Sequence, residues 1–211
     1  VSDDTIAVPL LRDEGVDQYR VVEDTWGVVS LERVRRIVPP PEEAAQEGFV
    51  EPLVVPEADE LWVSQMTAAR VHRFRLSTGA PIASYPSGGG WPKVLVAENN
   101  GDAVWVSNWR GRSVVRLERE TGRILTTIDV GGEPRGLLLT DDDRLLWVCI
   151  FSAGRVVVVD THRGEIVDRF GPERGAARHI IASADEERIY YSDMYHGTVS
   201  LVDPDTRRVV R

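Results

Sequence analysis

An internal repeat of about 42 residues constrains the fold of this chain more than any other feature. The motif LWVS at 61–64 recurs as VWVS at 104–107, LWVC at 146–149 and IYYS at 189–192. The aromatic residues of the motif are spaced by 43, 42 and 43 positions: Trp62, Trp105, Trp147 and Tyr190. A valine opening the next apolar run keeps the same spacing: Val71, Val114, Val156 and Val199. Markers that recur in phase indicate an array of equivalent structural units.

Each unit carries four short strand-like runs separated by turn signals. In the clearest copy the runs are KVLVA (93–97), AVWVSN (103–108), SVVRLE (113–118) and RILTTIDV (123–130). Several runs are almost continuously apolar, which is typical of sheets covered on both faces. Four strands in about 42 residues, buried on both faces, predict a blade of an all-β propeller.

The repeat also predicts the organisation of the chain. Four clear blades are expected at 51–90, 91–132, 133–175 and 176–211. Residues 1–50 fit the period poorly and are interpreted as a degenerate or partial N-terminal blade, ending in the proline-led acidic segment PPPEEAAQEG (39–48). About five blades are therefore expected, either as a compact ring or as part of an incomplete larger propeller.

Composition excludes several classes of function. With 34 acidic and 25 basic residues the net charge is −9, which argues against nucleic acid as a partner. No apolar run reaches the roughly 18 residues of a membrane-spanning helix, so no membrane span is predicted. The single cysteine, Cys149, excludes an internal disulfide and any multi-cysteine metal site in one chain. No cofactor motif is present, and neither a cofactor nor a metal is predicted.

The segment VWVSNWRGRSVVRLERETGRILTTIDVGGEPRGLLLT (104–140) resembles the YVTN family of propeller repeats. The segments VDTHRGEIVDRF (159–170) and LVDPDTRRVV (201–210) resemble the second half of the same repeat, so the resemblance covers about 51–211. The third copy departs from the pattern at Cys149 and Ile150, and the fourth lacks the turn glycine. The resemblance implies a YncE-like or surface-layer type of propeller with an extracytoplasmic location, in the periplasm or at the cell surface.

Repeat position predicts a basic arc at one end of the propeller. Lys93, Arg135 and Arg178 are spaced by 42 and 43 residues at the start of the innermost strands, and Arg110 lies in a neighbouring loop. An acidic protein with such a concentration of positive charge would attract anions there. The alternative is that each basic residue pairs with a nearby carboxylate or carbonyl group, such as that of Glu133.

Large apolar side chains share a second repeat position on the same face. They are spaced by 43, 42 and 43 residues: Met66, Trp109, Phe151 and Met194. Trp91 and Tyr195 are expected nearby. Aromatic residues interleaved with arginines are typical of recognition surfaces. The alternative is that each side chain simply packs over the seam between two blades.

The fourth repeat offers the only candidates for catalysis. Asp193, His196 and His179 are expected near the same end of the propeller, where a carboxylate and an imidazole could perform acid–base chemistry. No sequence signature supports catalysis beyond this shared location. His72 and His162 lie at unrelated repeat positions and are predicted at the surface.

The sequence therefore favours a non-catalytic extracytoplasmic binding or scaffolding propeller over an enzyme. The expected partner is a protein, peptide or anionic glycan at the face that carries the basic arc. The alternative is a lactonase-like hydrolase or lyase with its site at the same place. Self-association, or completion by further blades, is also expected if the blades do not close.

Overall fold

The computed structural model describes residues 5–40, 47–172 and 174–210, and it confirms the predicted all-β propeller. Nineteen strands form five antiparallel sheets within these ranges. The described residues contain one helical segment, a 3₁₀ turn at Pro56–Ala58. No helix in the described ranges has the length and apolar character needed to cross a membrane. The segment 41–46, within the predicted acidic loop, lies outside the described residues.

The strands fall into two compact units, Val1–Pro86 and Ser87–Arg211, which are called here the N-terminal and C-terminal units. In the N-terminal unit the first sheet has three strands: β1 (Thr5–Pro9), β2 (Val16–Glu23) and β3 (Val29–Ile37). The second sheet has four: β4 (Phe49–Val55), β5 (Glu60–Gln65), β6 (Arg70–Arg75) and β7 (Pro81–Pro86). The first sheet thus lacks one strand of the repeat, which agrees with its weak match to the period.

The C-terminal unit contains three four-stranded sheets. The third sheet consists of β8 (Pro92–Ala97), β9 (Ala103–Asn108), β10 (Ser113–Glu118) and β11 (Ile124–Asp129). The fourth consists of β12 (Pro134–Thr140), β13 (Leu145–Ile150), β14 (Arg155–Asp160) and β15 (Glu165–Phe170). The fifth consists of β16 (Ala177–Ala182), β17 (Ile189–Asp193), β18 (Thr198–Asp203) and β19 (Arg208–Val209).

The apolar runs become the core between successive sheets of the C-terminal unit. Trp105 and Val114 of the third sheet pack against one face of the fourth sheet, beside Leu146 and Val148. On its other face the fourth sheet presents Trp147 and Cys149 to the fifth sheet, and both are completely buried. Because every residue of β13 from Leu146 to Ile150 is buried, the strand has no solvent face, as the continuous apolar run predicted.

The buried tryptophans are held by polar partners on the same sheet. The indole N–H of Trp105 donates to Glu98 at 2.9 Å, and the Arg116 guanidinium binds the same carboxylate through two hydrogen bonds of 2.7 and 2.6 Å. In the second sheet Trp62, Glu60 and Arg73 repeat this arrangement. In the fourth sheet the indole N–H of Trp147 donates instead to Thr140. These bonds satisfy an indole N–H that would be costly to bury unpaired.

Candidate functional site

A β-bulge interrupts the first strand of each four-stranded sheet, close to its beginning. The register with the second strand shifts between Pro92 and Leu95 in β8, between Pro134 and Leu137 in β12, and between Ala177 and Ile180 in β16. Bulges leave residues outside the ladder and redirect their side chains. The predicted basic residues Lys93, Arg135 and Arg178 occupy these three bulges.

The serine of the repeat motif stabilises the bulge. The hydroxyl of Ser107 accepts a hydrogen bond from the backbone N–H of Val94 at 2.9 Å, and Ser192 accepts one from His179 at 3.2 Å. A side-chain acceptor is needed because a bulge removes the local ladder partner. In the third repeat Cys149 replaces the serine, and burial raises the pKa of its thiol.

Glycine at one bulge lets two sheets of the C-terminal unit approach closely. A Cβ atom added at Gly136 would lie 2.6 Å from the carbonyl oxygen of Arg178, so no side chain can be accommodated there. The strand β12 also contacts β8, and Ser107 donates a hydrogen bond of 2.9 Å to the Arg135 carbonyl. The three bulges are therefore held beside one another by backbone packing.

A second repeated contact fixes the large apolar residues beside the bulges. The backbone N–H of Trp109 donates to the Trp91 carbonyl at 3.0 Å, and that of Phe151 donates to the Glu133 carbonyl at 2.8 Å. Met194 makes the corresponding bond to Ala176. In each case the acceptor lies two residues before the basic residue of the bulge. The hydrogen bond therefore holds the first residue of the loop close to Lys93, Arg135 or Arg178.

These features converge on one hollow of about 170 Å³ on the C-terminal unit. It is lined by two basic and three large apolar side chains: Arg135, Arg178, Trp109, Phe151 and Met194. The rings of Trp109 and Phe151 contact each other with centroids 4.7 Å apart. The structure thus brings together four of the residues singled out as ligand-binding candidates from their repeat position, together with Met194 of the apolar set.

Lys93 lies beside this hollow among aromatic rings. Its ammonium nitrogen is 5.5 Å from the centroid of Trp109 and 5.6 Å from that of Trp91. The Arg110 guanidinium carbon lies over the Trp91 ring, 3.8 Å from its centroid. Such distances are typical of cation–π contacts. Lys93 and Arg110 are therefore engaged with the aromatic residues of the site and do not line the hollow itself.

Trp91 adopts an unusual backbone conformation. Its φ of 58° lies in the left-handed region, where a bulky residue is disfavoured. The strained residue places its carbonyl toward Trp109 and its ring under Arg110. Strain of this kind often accompanies binding sites, and neither the composition nor the spacing of the repeat signals it.

Tyr195 and the candidate catalytic residues occupy the loop after β17. Tyr195 is 73% exposed, stacks edge-on against His196 and does not line the hollow. Asp193 is buried, and its Oδ2 lies 3.1 Å from Nδ1 of His196. His179 is exposed on β16.

The buried carboxylate of Asp193 has a clear structural role. Its Oδ1 accepts hydrogen bonds from the backbone N–H groups of Ala176, Tyr195 and His196. Burial acts to raise the pKa of Asp193, but these hydrogen bonds together with that from the His196 side chain outweigh burial and hold the pKa below its ordinary value. Asp193 is therefore an ionised residue that closes the loop.

The surface position predicted for His72 is wrong. His72 is 1% exposed on β6, where Nε2 lies 2.9 Å from Oε1 of Gln65. Burial, with a smaller contribution from the positive charge of Arg70, lowers the pKa of His72 to about 4. The continuous burial of β6 from Val71 to Phe74 overrides the usual preference of histidine for the surface. His162 is exposed, as predicted.

The described ranges contain no group of three or more His, Cys, Asp or Glu side chains arranged to hold a metal ion.

Comparison with known proteins gives one curated relative and a structural neighbour. The chain is 36% identical over 211 residues to Antigen Lp49 of Leptospira interrogans serogroup Icterohaemorrhagiae serovar copenhageni (strain Fiocruz L1-130), covering 97% of this chain and 44% of that protein. The chain therefore spans less than half the length of this relative. No protein-family model matches the chain.

Among solved structures, Kuenenia stuttgartiensis hydrazine synthase is similar with a TM-score of 0.71 and 20% identity, covering 78% of this chain and 48% of that one. At this identity the similarity shows the fold alone. The comparisons therefore support the β-propeller, and any assignment of a ligand depends on the geometry of the site.

Proposed function

We propose that this chain is a non-catalytic, extracytoplasmic binding module of the YVTN-like, YncE-like type. Its contact surface is the part of the C-terminal unit formed by the three bulges and the loops after β9, β13 and β17, called here the bulge face. The ligand is an anionic group of a protein, peptide or glycan. The observation that carries the proposal is the hollow in which Arg135 and Arg178 meet Trp109 and Phe151.

The charge distribution supports an anionic ligand. The chain carries a net charge of −9, yet four cations lie close together here: Arg110 and Arg178 reach the solvent, and Lys93 and Arg135 are mostly buried beneath them. A local positive field on an acidic protein concentrates anions at that surface and repels them elsewhere. Guanidinium groups bind carboxylates through paired, charge-assisted hydrogen bonds, which gives such a site directional preference.

The aromatic residues support a contact surface for a larger partner. Trp91, Trp109 and Phe151 are all only partly buried, and each lies beside a cation. Tryptophan and arginine are the residues that most often dominate binding energy at protein interfaces. The extracytoplasmic location rests on the resemblance of residues 51–211 to YVTN repeats.

Binding can be tested with two soluble polyanions, octaglutamate and trigalacturonate. Tryptophan fluorescence is a suitable signal because Trp91 and Trp109 lie at the site. We expect a saturable change with at least one probe, which is lost in the Arg135→Ala/Arg178→Ala double variant and kept in Arg163→Ala. Arg163 is an exposed residue in the β14–β15 turn. An unchanged affinity in the double variant would contradict the proposal.

A lactonase-like hydrolase is the second candidate, favoured by the contact between Asp193 and His196. A carboxylate that orients an imidazole is one element of acid–base catalysis. Hydrolysis of γ-butyrolactone and gluconolactone tests this candidate directly. Turnover that is abolished in His196→Asn would favour the hydrolase over the binding module. Turnover no faster than the uncatalysed reaction would exclude the hydrolase.

A further inference from the structure

We infer that the hollow between Arg135, Arg178, Trp109, Phe151 and Met194 accepts a single carboxylate carried on a compact apolar group. This inference rests on the proposed function, because it names the chemical group that the bulge face recognises. The ligand end would place its carboxylate at the guanidinium groups and its apolar part against the rings and the thioether.

The hollow is large enough for the end group of a ligand but too small for a whole drug-sized ligand. Its volume of about 170 Å³ equals roughly five or six water molecules. Sites for whole drug-sized ligands are larger, at about 300 to 1,000 Å³. The hollow therefore fits one ring or one short aliphatic chain together with its carboxylate.

Arg178 supplies an available positive charge. Its Nη1 donates to the thioether sulfur of Met194, a weak acceptor that leaves the charge uncompensated. The Nε atom of Arg178 is buried and has no hydrogen-bond partner among the described residues. A buried donor without a partner is costly, so a small rotation of the side chain that turns Nε toward a ligand oxygen in the hollow would relieve that cost.

The opposite wall of the hollow is apolar and held in place. The Trp109 ring contacts both the Phe151 ring and the ammonium group of Lys93, and the backbone N–H of Trp109 donates a hydrogen bond to the Trp91 carbonyl. A fixed aromatic wall loses little conformational freedom when a ligand binds. The pairing of a fixed apolar wall with a guanidinium group fits a ligand that is itself half apolar and half anionic.

The apolar wall also favours a carboxylate over a phosphate. Removing an anion from water becomes more costly as its charge grows, and a phosphate monoester carries a charge of about −1.5 to −2 near neutral pH. A carboxylate brings one charge and two coplanar oxygens that match the guanidinium fork. A singly charged carboxylate is therefore the better match for this half-apolar hollow.

Four small probes test the inference by fluorescence titration of the 211-residue chain: phenylacetate, phenylacetamide, acetate and phenyl phosphate. We expect phenylacetate to bind at least about tenfold more tightly than phenylacetamide, which lacks the charge, and than acetate, which lacks the ring. Phenyl phosphate is expected to bind more weakly than phenylacetate. Equal binding of phenylacetamide, or tighter binding of phenyl phosphate, would overturn the inference.

Two variants locate the binding, and each is first checked for an unchanged melting temperature. Arg178→Gln keeps hydrogen-bonding capacity without charge and should lose phenylacetate binding, and Trp109→Leu should do the same by removing the wall. Arg163→Gln is the matched control and should bind normally. Retained binding in both site variants would overturn the inference.

The failure of this inference is distinct from failure of the proposed function. Octaglutamate binding that depends on Arg135 and Arg178, with no phenylacetate binding, would overturn the inference alone. Absence of binding by phenylacetate and by both polyanions would overturn both. The source of the group is decided by Gly-Gly-Phe and its C-terminal amide: tighter binding of the free peptide than of phenylacetate assigns a peptide C-terminus, and tighter phenylacetate binding assigns a free small acid.

Discussion

The hydroxyl group of Ser107 donates a hydrogen bond of 2.9 Å to the backbone carbonyl of Arg135, the residue at the bulge of the next sheet. The same hydroxyl accepts from the N–H of Val94 in its own sheet. One buried serine therefore joins two bulges, each next to a basic side chain. The serine of the repeat motif is a structural support for the site.

Replacing Ser107 by alanine should affect both stability and binding. The change leaves the Arg135 carbonyl and the Val94 N–H without this partner, and buried groups without partners cost about 1–3 kcal/mol. We expect urea denaturation to show a loss of this size in the free energy of unfolding. Octaglutamate binding should weaken as well, because the bulge of Arg135 loses its support. Ser30→Ala, at an exposed residue of β3, is the control, and an equal effect of both changes would contradict the role of Ser107.

The spacing of the repeat predicts most residues of this site, but it does not reveal the bulges or the hydrogen bonds that hold them. Spacing alone places Lys93, Arg135 and Arg178 at equivalent positions, and it also pairs Trp109 with Phe151. The amino-acid sequence of an apolar strand such as β8 does not indicate its β-bulge, because the bulge depends on the register of backbone hydrogen bonds with β9. Likewise, Trp91, one of the two rings that Lys93 contacts, has a left-handed backbone that a bulky residue disfavours, so the sequence does not indicate this contact.

The buried ion pair of Glu98 and Arg116 should contribute strongly to stability when one partner is removed. The hydrogen bonds that Arg116 donates to the Glu98 carboxylate raise the pKa of Arg116, despite the opposing effect of burial. Arg116→Met would leave the Glu98 carboxylate buried without its cation, which typically costs about 3–5 kcal/mol. Arg123→Met, which breaks the exposed pair with Glu118, should cost far less. Chemical denaturation of the two variants measures the difference, and equal losses would contradict it.

His72 should make the protein less stable in mild acid. The folded state holds His72 neutral down to about pH 4, whereas an unfolded chain protonates it near pH 6.5. Because the unfolded state binds the extra proton, the free energy of unfolding falls as the pH drops from about 6.5 to 4, by about 3 kcal/mol. Thermal or urea denaturation at pH 8 and pH 4.5 should show a smaller loss in His72→Asn than in the parent chain. Identical losses in the two proteins would exclude His72 as the cause.

The face of the fifth sheet that carries Ile181 and Val199 should make copies of this chain associate with one another. Ile181 and Val199 are 62% and 68% exposed, whereas the corresponding positions of the fourth sheet, at Leu138 and Val156, are covered by the fifth. Apolar sheet faces of this kind favour association. We expect light scattering to show a mass that rises with concentration, and an Ile181→Thr/Val199→Thr variant to lower it. Val167→Thr, at a less exposed residue of β15, is the control, and a monomer resistant to concentration would contradict this prediction.

The limits of sequence reasoning are clearest at single residues of the fourth repeat, which forms the fifth sheet. The repeat spacing predicts that Tyr195 lies near the apolar residues of the site, such as Trp109. In the structure its side chain is 73% exposed and lies against His196. Asp193 resembles a catalytic carboxylate by position, but its Oδ1 atom accepts hydrogen bonds from the backbone N–H groups of Ala176, Tyr195 and His196. The backbone turn is the same in each repeat, with a left-handed residue at Arg112, Gly154 and Gly197. Both outcomes therefore depend on side-chain contacts in this one loop, which the spacing of the repeat does not show.

The most direct test of the binding surface is the affinity of single arginine variants for octaglutamate at low and high salt. Arg135→Ala and Arg178→Ala should each weaken binding about tenfold or more, since a charge-assisted hydrogen bond contributes roughly 1.5–3 kcal/mol. Added salt should weaken binding by the parent chain further, because it screens the charges. Arg163→Ala should bind like the parent chain. Equal losses in all three variants, or no loss at Arg135 and Arg178, would contradict a binding site at the bulge face.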